Sequence, residues 1–146
     1  MTLELLFKIS NAAAVPFWIL LVIKPRWKWS HNLIYSAAFP LLMAILYTTL
    51  FAMNWGRGPE GGGFGSLEGV AVLFTSKQLL LAGWIHYICF DLLVGSWEVR
   101  DAMKHDIPHW LVVPCLFFTL FFGPAGFLLY MLIRYIKTRK ALIAEF

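Results

Sequence analysis

Apolar positions along this chain fall into four long runs, separated by short polar or glycine-rich segments. The runs cover about 3–23, 32–53, 77–98 and 108–134. Each reaches the roughly 20 residues needed to cross the hydrocarbon core of a bilayer. A segment in lipid must satisfy its backbone polar groups internally, so runs of this length predict helices. The pattern therefore predicts an all-α membrane protein, with four transmembrane helices in a compact bundle and one domain over residues 1–146.

Interruptions refine the picture. Asn11 and Pro16 break the first run, and Pro40 stands near the middle of the second. Proline removes a helix hydrogen bond, so both spans are expected to bend. Between the first two runs, Lys24-Pro-Arg-Trp-Lys-Trp alternates cations with Trp27 and Trp29, an interface anchor at headgroup level. Asn54–Ser66 holds six glycines and is expected to be a flexible connector, with a substrate lid as the other option. It is a poor phosphate cradle, because no strand signal precedes it. The 67–98 stretch is longer than one span needs, so its first part either forms a short interfacial helix or extends the third span. Asp106 is placed to cap the fourth span, with Pro108 in its first turn. Gly123-Pro124-Ala125-Gly126 should kink or unwind that span midway.

Composition agrees with the pattern. Hydrophobic residues make up 60% of the chain and charged residues 14%, with a mean hydropathy of +0.73. A soluble domain would be nearer half apolar and a quarter charged. The net charge of +4 does not indicate nucleic acid, because the cations flank apolar runs, where they meet lipid headgroups. With four crossings, Lys8, Arg57, Arg134, Lys137, Arg139 and Lys140 would share one side, against Lys24, Arg26, Lys28, Arg100 and Lys104. That balance leaves orientation open under the positive-inside rule. Cys89 and Cys115 lie in apolar runs and read as packing residues. The N-terminus lacks a basic n-region and reads as an uncleaved first span. No Ser/Arg-rich transit segment precedes it, an expectation that favours a bacterial over a plastid-imported chain, in an inner or thylakoid-like membrane.

Candidate chemistry concentrates in the third run. It carries His86 and Asp91 in its middle and Glu98 near its end. An aspartate at mid-span costs on the order of 2.5–3.5 kcal/mol on insertion scales, so something must offset it. Lys77, Trp84, Asp91 and Glu98 recur every seven residues and share one helical stripe, while His86 projects away from it. Arg100, Asp101, His105 and His109 follow, with His105 and Asp106 expected in a solvated turn. His86 and Asp91 are five apart, and neither HExxH nor ExxH occurs, so no metal or other cofactor is expected. Acid–base work by carboxylate and imidazole in a low-dielectric pocket remains. Trp84, Tyr87, Trp97 and Trp110 line the last two runs and suit a long, flat, apolar ligand, with Arg100 and Arg134 at its polar end.

The residues G-W-I-H-Y-x-x-F-D-L-x-V-G (Gly83 to Gly95) and F-G-P-x-G-x-L-L-Y-x-x-x-R (Phe122 to Arg134) resemble the abscisic-acid-deficient-four-like membrane family. The resemblance extends over nearly the whole chain. It implies a carotenoid connection, since the plant namesake is implicated in converting the epoxide violaxanthin into the allenic neoxanthin. On that reading the protein is a carotenoid epoxide isomerase. His86 or Glu98 is its acid, Asp91 its base and His109 an orienting group, with a carotenoid and membrane lipids as its partners. Two other classes stay open: a non-catalytic, photoprotective carotenoid-binding protein, and a metal-dependent intramembrane lipid hydrolase. Aromatic spans leave homo-oligomer formation open.

Overall fold

A computed structural model describes residues 2–139, so the expectation for Lys140 lies outside the described residues. The described residues form helices and turns with no strand. They comprise α1 (Leu3–Ile23), a single turn α2 (Lys28–Ser30) running into a π-helical turn (His31–Tyr35), α3 (Ala38–Met53), α4 (Leu67–Leu73), α5 (Lys77–Lys104), α6 (His109–Phe122) and α7 (Pro124–Thr138). The chain divides into two compact units: Met1–Val15 with Phe39–Cys89, and Pro16–Ala38 with Phe90–Phe146. Helices α1 and α5 each contribute one half to either unit.

Among the described residues, three stretches are long and apolar enough to cross a membrane: Leu3–Ile23, Lys28–Met53 and Lys77–Lys104. Their outer faces are greasy. Val15, Ile19, Leu41, Leu42 and Ile45 are all 50% exposed or more. Exposed apolar side chains in such numbers are stable against lipid rather than water. The protein is membrane-associated.

The expected kink at Pro40 does not occur mid-helix. The chain bends before it, at Ala37, whose φ is +59°, and α3 starts at Ala38. Pro40 thus occupies the first turn, where a missing N–H removes no helical bond. Its carbonyl accepts a hydrogen bond from the Cys89 thiol at 3.2 Å. The start of the 67–98 stretch forms α4 (Leu67–Leu73), capped by Ser66, whose hydroxyl accepts the Gly69 N–H. Asp106 does not cap α6. It adopts a left-handed φ of +51°, and Pro108 holds the N-cap position with no side-chain hydrogen bond.

The fourth apolar run departs most from expectation. It is not one kinked span but two helices of 14 and 15 residues that meet at Gly123. At 1.5 Å per residue each is about 21–23 Å long, short of the ~30 Å core. They fold back on each other. A Cβ on Gly126 would run into the Thr119 nitrogen and hydroxyl, although seven residues of straight helix span roughly 10 Å. Gly123 supplies the turn with a φ of +41°. Its Cα side faces Asp91, whose Oδ1 is 2.8 Å from where a Cβ would stand.

Within this second unit the hairpin lies along α5. Trp97 packs edge-on against Tyr130, centroids 5.5 Å apart, and tilted against Phe127. The later half of α1 closes the other flank, with the Trp18 ring against Gly95. Leu21, Leu92, Val99, Val112, Cys115 and Leu116 fill the core between them with no exposed surface.

Candidate functional site

The second unit buries an unusual amount of polarity for an apolar core. Glu98, Thr119 and Arg134 are all 0% exposed, and so is Tyr130. Burying such groups is costly unless each is hydrogen-bonded. Two clusters meet that requirement.

The first joins α5 to α6. The Thr119 hydroxyl donates to Glu98, lying 3.0 Å from Oε1 and 3.2 Å from Oε2. Asp91, two turns earlier on the same stripe of α5, is close enough to Glu98 to repel it electrostatically. Asp91 also abuts the hairpin tip at Gly123. The seven-residue spacing thus sets two carboxylates on the face of α5 that α6 covers. A Thr119→Val variant is expected to lose about 1–2 kcal/mol of stability. A lowered thermal midpoint in detergent, with helix content unchanged, is the measurement that checks it.

The second cluster joins α5 to α7. Asp101 Oδ2 accepts from the Tyr130 hydroxyl at 2.6 Å and from Arg134 Nε at 2.7 Å. His105 is part of this cluster rather than of a solvated turn. Its Nδ1–H donates to the Asp101 carbonyl at 2.9 Å, which leaves Nε2 to face Arg134 Nη2 at 3.4 Å. Arg134 is therefore committed to Asp101 inside the protein.

Other candidates lie elsewhere. His109, at the start of α6, donates from Nε2 to the Val22 carbonyl at 2.9 Å. It lines a 560 Å3 pocket with Lys24, Arg26, Trp27, Met103 and Asp106. Arg100 is exposed, and its guanidinium stands 5.9 Å from the Tyr35 ring centre. Trp110 is 71% exposed. In the first unit, His86 stands edge-on to Tyr47 with 5.6 Å between centroids. It lines a 290 Å3 cavity with Tyr47, Phe51, Phe64 and Phe74. Trp84 stacks on Tyr87 and donates from Nε1 to Asn11 Oδ1 at 3.1 Å.

The structure thus brings Asp91 and Glu98 together with Thr119, which sequence reasoning did not single out. Tyr130 and Asp101 also carry more than their positions suggested. The available signal was the Y-x-x-x-R spacing of Tyr130 and Arg134, an i,i+4 pair that must share one helix face. Among the described residues, no three His, Cys, Asp or Glu side chains are grouped so as to hold a metal ion.

A family model described as "ABA DEFICIENT 4-like" matches residues 5–130, a stretch that holds both carboxylates, Thr119 and the hairpin turn. The chain belongs to the ABA DEFICIENT 4-like family. A relative, protein ABA DEFICIENT 4, chloroplastic, of Arabidopsis thaliana, is 25% identical over 107 residues, covering 69% of this chain and 49% of the relative. The chain thus spans about half the length of the curated relative that it matches. No solved structure matches.

Proposed function

We propose that the protein acts on a carotenoid within the membrane, isomerising a xanthophyll epoxide by acid–base catalysis. One observation carries the reading: two carboxylates, Asp91 and Glu98, share one face of α5 under the α6–α7 hairpin, and Glu98 is fully buried with Thr119 as its hydrogen-bond donor. Family membership supplies the substrate class, through the epoxide-to-allene conversion in which the plant namesake is implicated.

The reaction needs no oxidant. An acid delivers a proton to the epoxide oxygen, and the bond from that oxygen to the polyene-side carbon breaks. A base removes the proton from the adjacent polyene carbon, and the electron pair left behind forms the second double bond of the allene. Glu98 serves as the acid and Asp91 as the base. Proton transfer by positioned groups of this kind contributes about 100- to 10,000-fold in rate. His109 orients the ligand's polar end from the pocket that it lines with Lys24 and Arg26.

Expression in a carotenoid-producing host, with chromatography of the pigments, tests the proposal. The unmodified protein should convert an epoxide pigment to its allenic isomer. Asp91→Asn should abolish that product while pigment still copurifies; unchanged turnover removes Asp91 from the role of base.

A second reading rests on the first unit. The cavity beside His86 is walled by Tyr47, Phe51, Phe64 and Phe74 and suits a flat apolar ring. A non-catalytic, photoprotective pigment carrier would use such a cavity alone. Visible absorbance that persists through purification, with no change in pigment on incubation, favours this reading.

A further inference from the structure

We infer that the α6–α7 hairpin enters the membrane and returns to the side it came from, which leaves three crossings and gathers the cations at one face that docks on anionic lipid headgroups.

The geometry comes from single elements and from the second unit. Helix α5 has 28 residues and is about 42 Å long, so Lys77 and Lys104 stand at opposite ends of one rod that exceeds the bilayer core. Helix α6 starts beside the Lys104 end. Its last turn, at Thr119, reaches Glu98, and its tip, Gly123, reaches Asp91. Helix α7 then retraces the path: Phe127 and Tyr130 meet Trp97, and Arg134 meets Asp101 and His105. The chain therefore turns at Asp91, near the midpoint of α5, and comes back to the Lys104 end. A backbone break at such depth is tolerated because it is buried in protein, and Gly123 is buried.

The Lys24–Trp27 turn lies at that same end, since it shares a pocket with Val99, Met103 and Pro108. Arg100 over Tyr35 brings the segment before α3 there too. The exposed Lys24, Arg26, Lys28, Arg100, Lys104, Lys137 and Arg139 then share one end, with Arg134 buried beneath them. Three crossings would put Lys8, Arg57 and Lys77 on the opposite side of the membrane, accompanied by Glu4, Glu60 and Glu68. The near-even balance of a four-span reading becomes seven exposed cations against three. By the positive-inside rule the richer end faces the side from which the chain is inserted. Trp27 and Trp29, both exposed, sit among those cations at headgroup level.

Single-cysteine labelling tests both parts. In a Cys89→Ala, Cys115→Ala background, Lys28→Cys, Lys104→Cys and Lys137→Cys should react with a membrane-impermeant maleimide from the insertion side of sealed vesicles. Lys8→Cys and Arg57→Cys should react only from the opposite side. Labelling of Lys137→Cys and Lys104→Cys from opposite sides overturns the re-entrant path, and labelling of all three from the translocated side overturns the orientation. Reconstitution in mixed phosphatidylcholine–phosphatidylglycerol vesicles, followed by extraction, reads the lipid preference. Phosphatidylglycerol should be retained preferentially, and each of Lys24→Gln, Arg26→Gln and Lys28→Gln should cut that preference about fivefold. Equal retention of both lipids by the unmodified protein overturns the headgroup contact.

Discussion

Replacing Arg134 by methionine is expected to destabilise the protein by about 3–5 kcal/mol, enough to unfold a large share of it in detergent at growth temperature. The magnitude follows from what is left behind. Arg134 has no exposed surface, and its Nε–H lies 2.7 Å from Asp101 Oδ2. Removing the guanidinium leaves the Asp101 carboxylate, whose side chain is only 9% exposed, without its cation, and an uncompensated charge at such burial is among the costliest defects a fold can carry. A second change should reverse much of the loss: Asp101→Asn in the Arg134→Met background removes the stranded charge and keeps a group that still accepts the Tyr130 hydroxyl. Arg134→Lys should rescue poorly, because a lysine ammonium cannot reproduce a planar fork that reaches Asp101 and His105 together. Thermal midpoints of the unmodified protein, Arg134→Met, Asp101→Asn and the double variant form a double-mutant cycle. A coupling below about 0.5 kcal/mol would show that the pair contributes little.

Gly126→Leu is expected to prevent the hairpin from closing. Even a methyl group there would run into both the nitrogen and the hydroxyl oxygen of Thr119. These atoms cannot all move aside, since the nitrogen is backbone and the hydroxyl holds Glu98. Overpacking of this kind costs about 1–3 kcal/mol when side chains can adjust, and more when backbone must move. Gly126→Ala should already lower yield and trypsin resistance, and Gly126→Leu should abolish monodisperse protein. The control is Gly65→Ala: a Cβ at Gly65 meets nothing within 4 Å, so stability should stay within about 0.5 kcal/mol. If Gly126→Leu behaves like that control, the close approach of α6 and α7 is wrong.

Much of the architecture can be read from residue pattern, because the forces that set it are local. Hydrophobic length marks α1 and α5, and the seven-residue recurrence of Asp91 and Glu98 fixes their common face. What pattern cannot supply is the partner of that face. Gly123-Pro124 states that a helix breaks, yet a kink and a full reversal begin with the same two residues. The choice is made by Thr119 meeting Gly126 and by Tyr130 and Arg134 finding Asp101, contacts between positions far apart in the chain. His105 is hard to place for a related reason. Its neighbours Lys104 and Asp106 suggest solvent, but α7 returns to cover it. Asp106 resembles a helix cap by position, and it takes a left-handed turn instead.

Tyr130 and Arg134 grip a single oxygen of Asp101, one helical turn apart on α7. Sliding α7 against α5 by one turn would move it 5.4 Å and break both grips at once. The two helices are thereby held in fixed register, like a bolt through two plates. Any motion that admits a long ligand has to carry α5 and α7 as one piece.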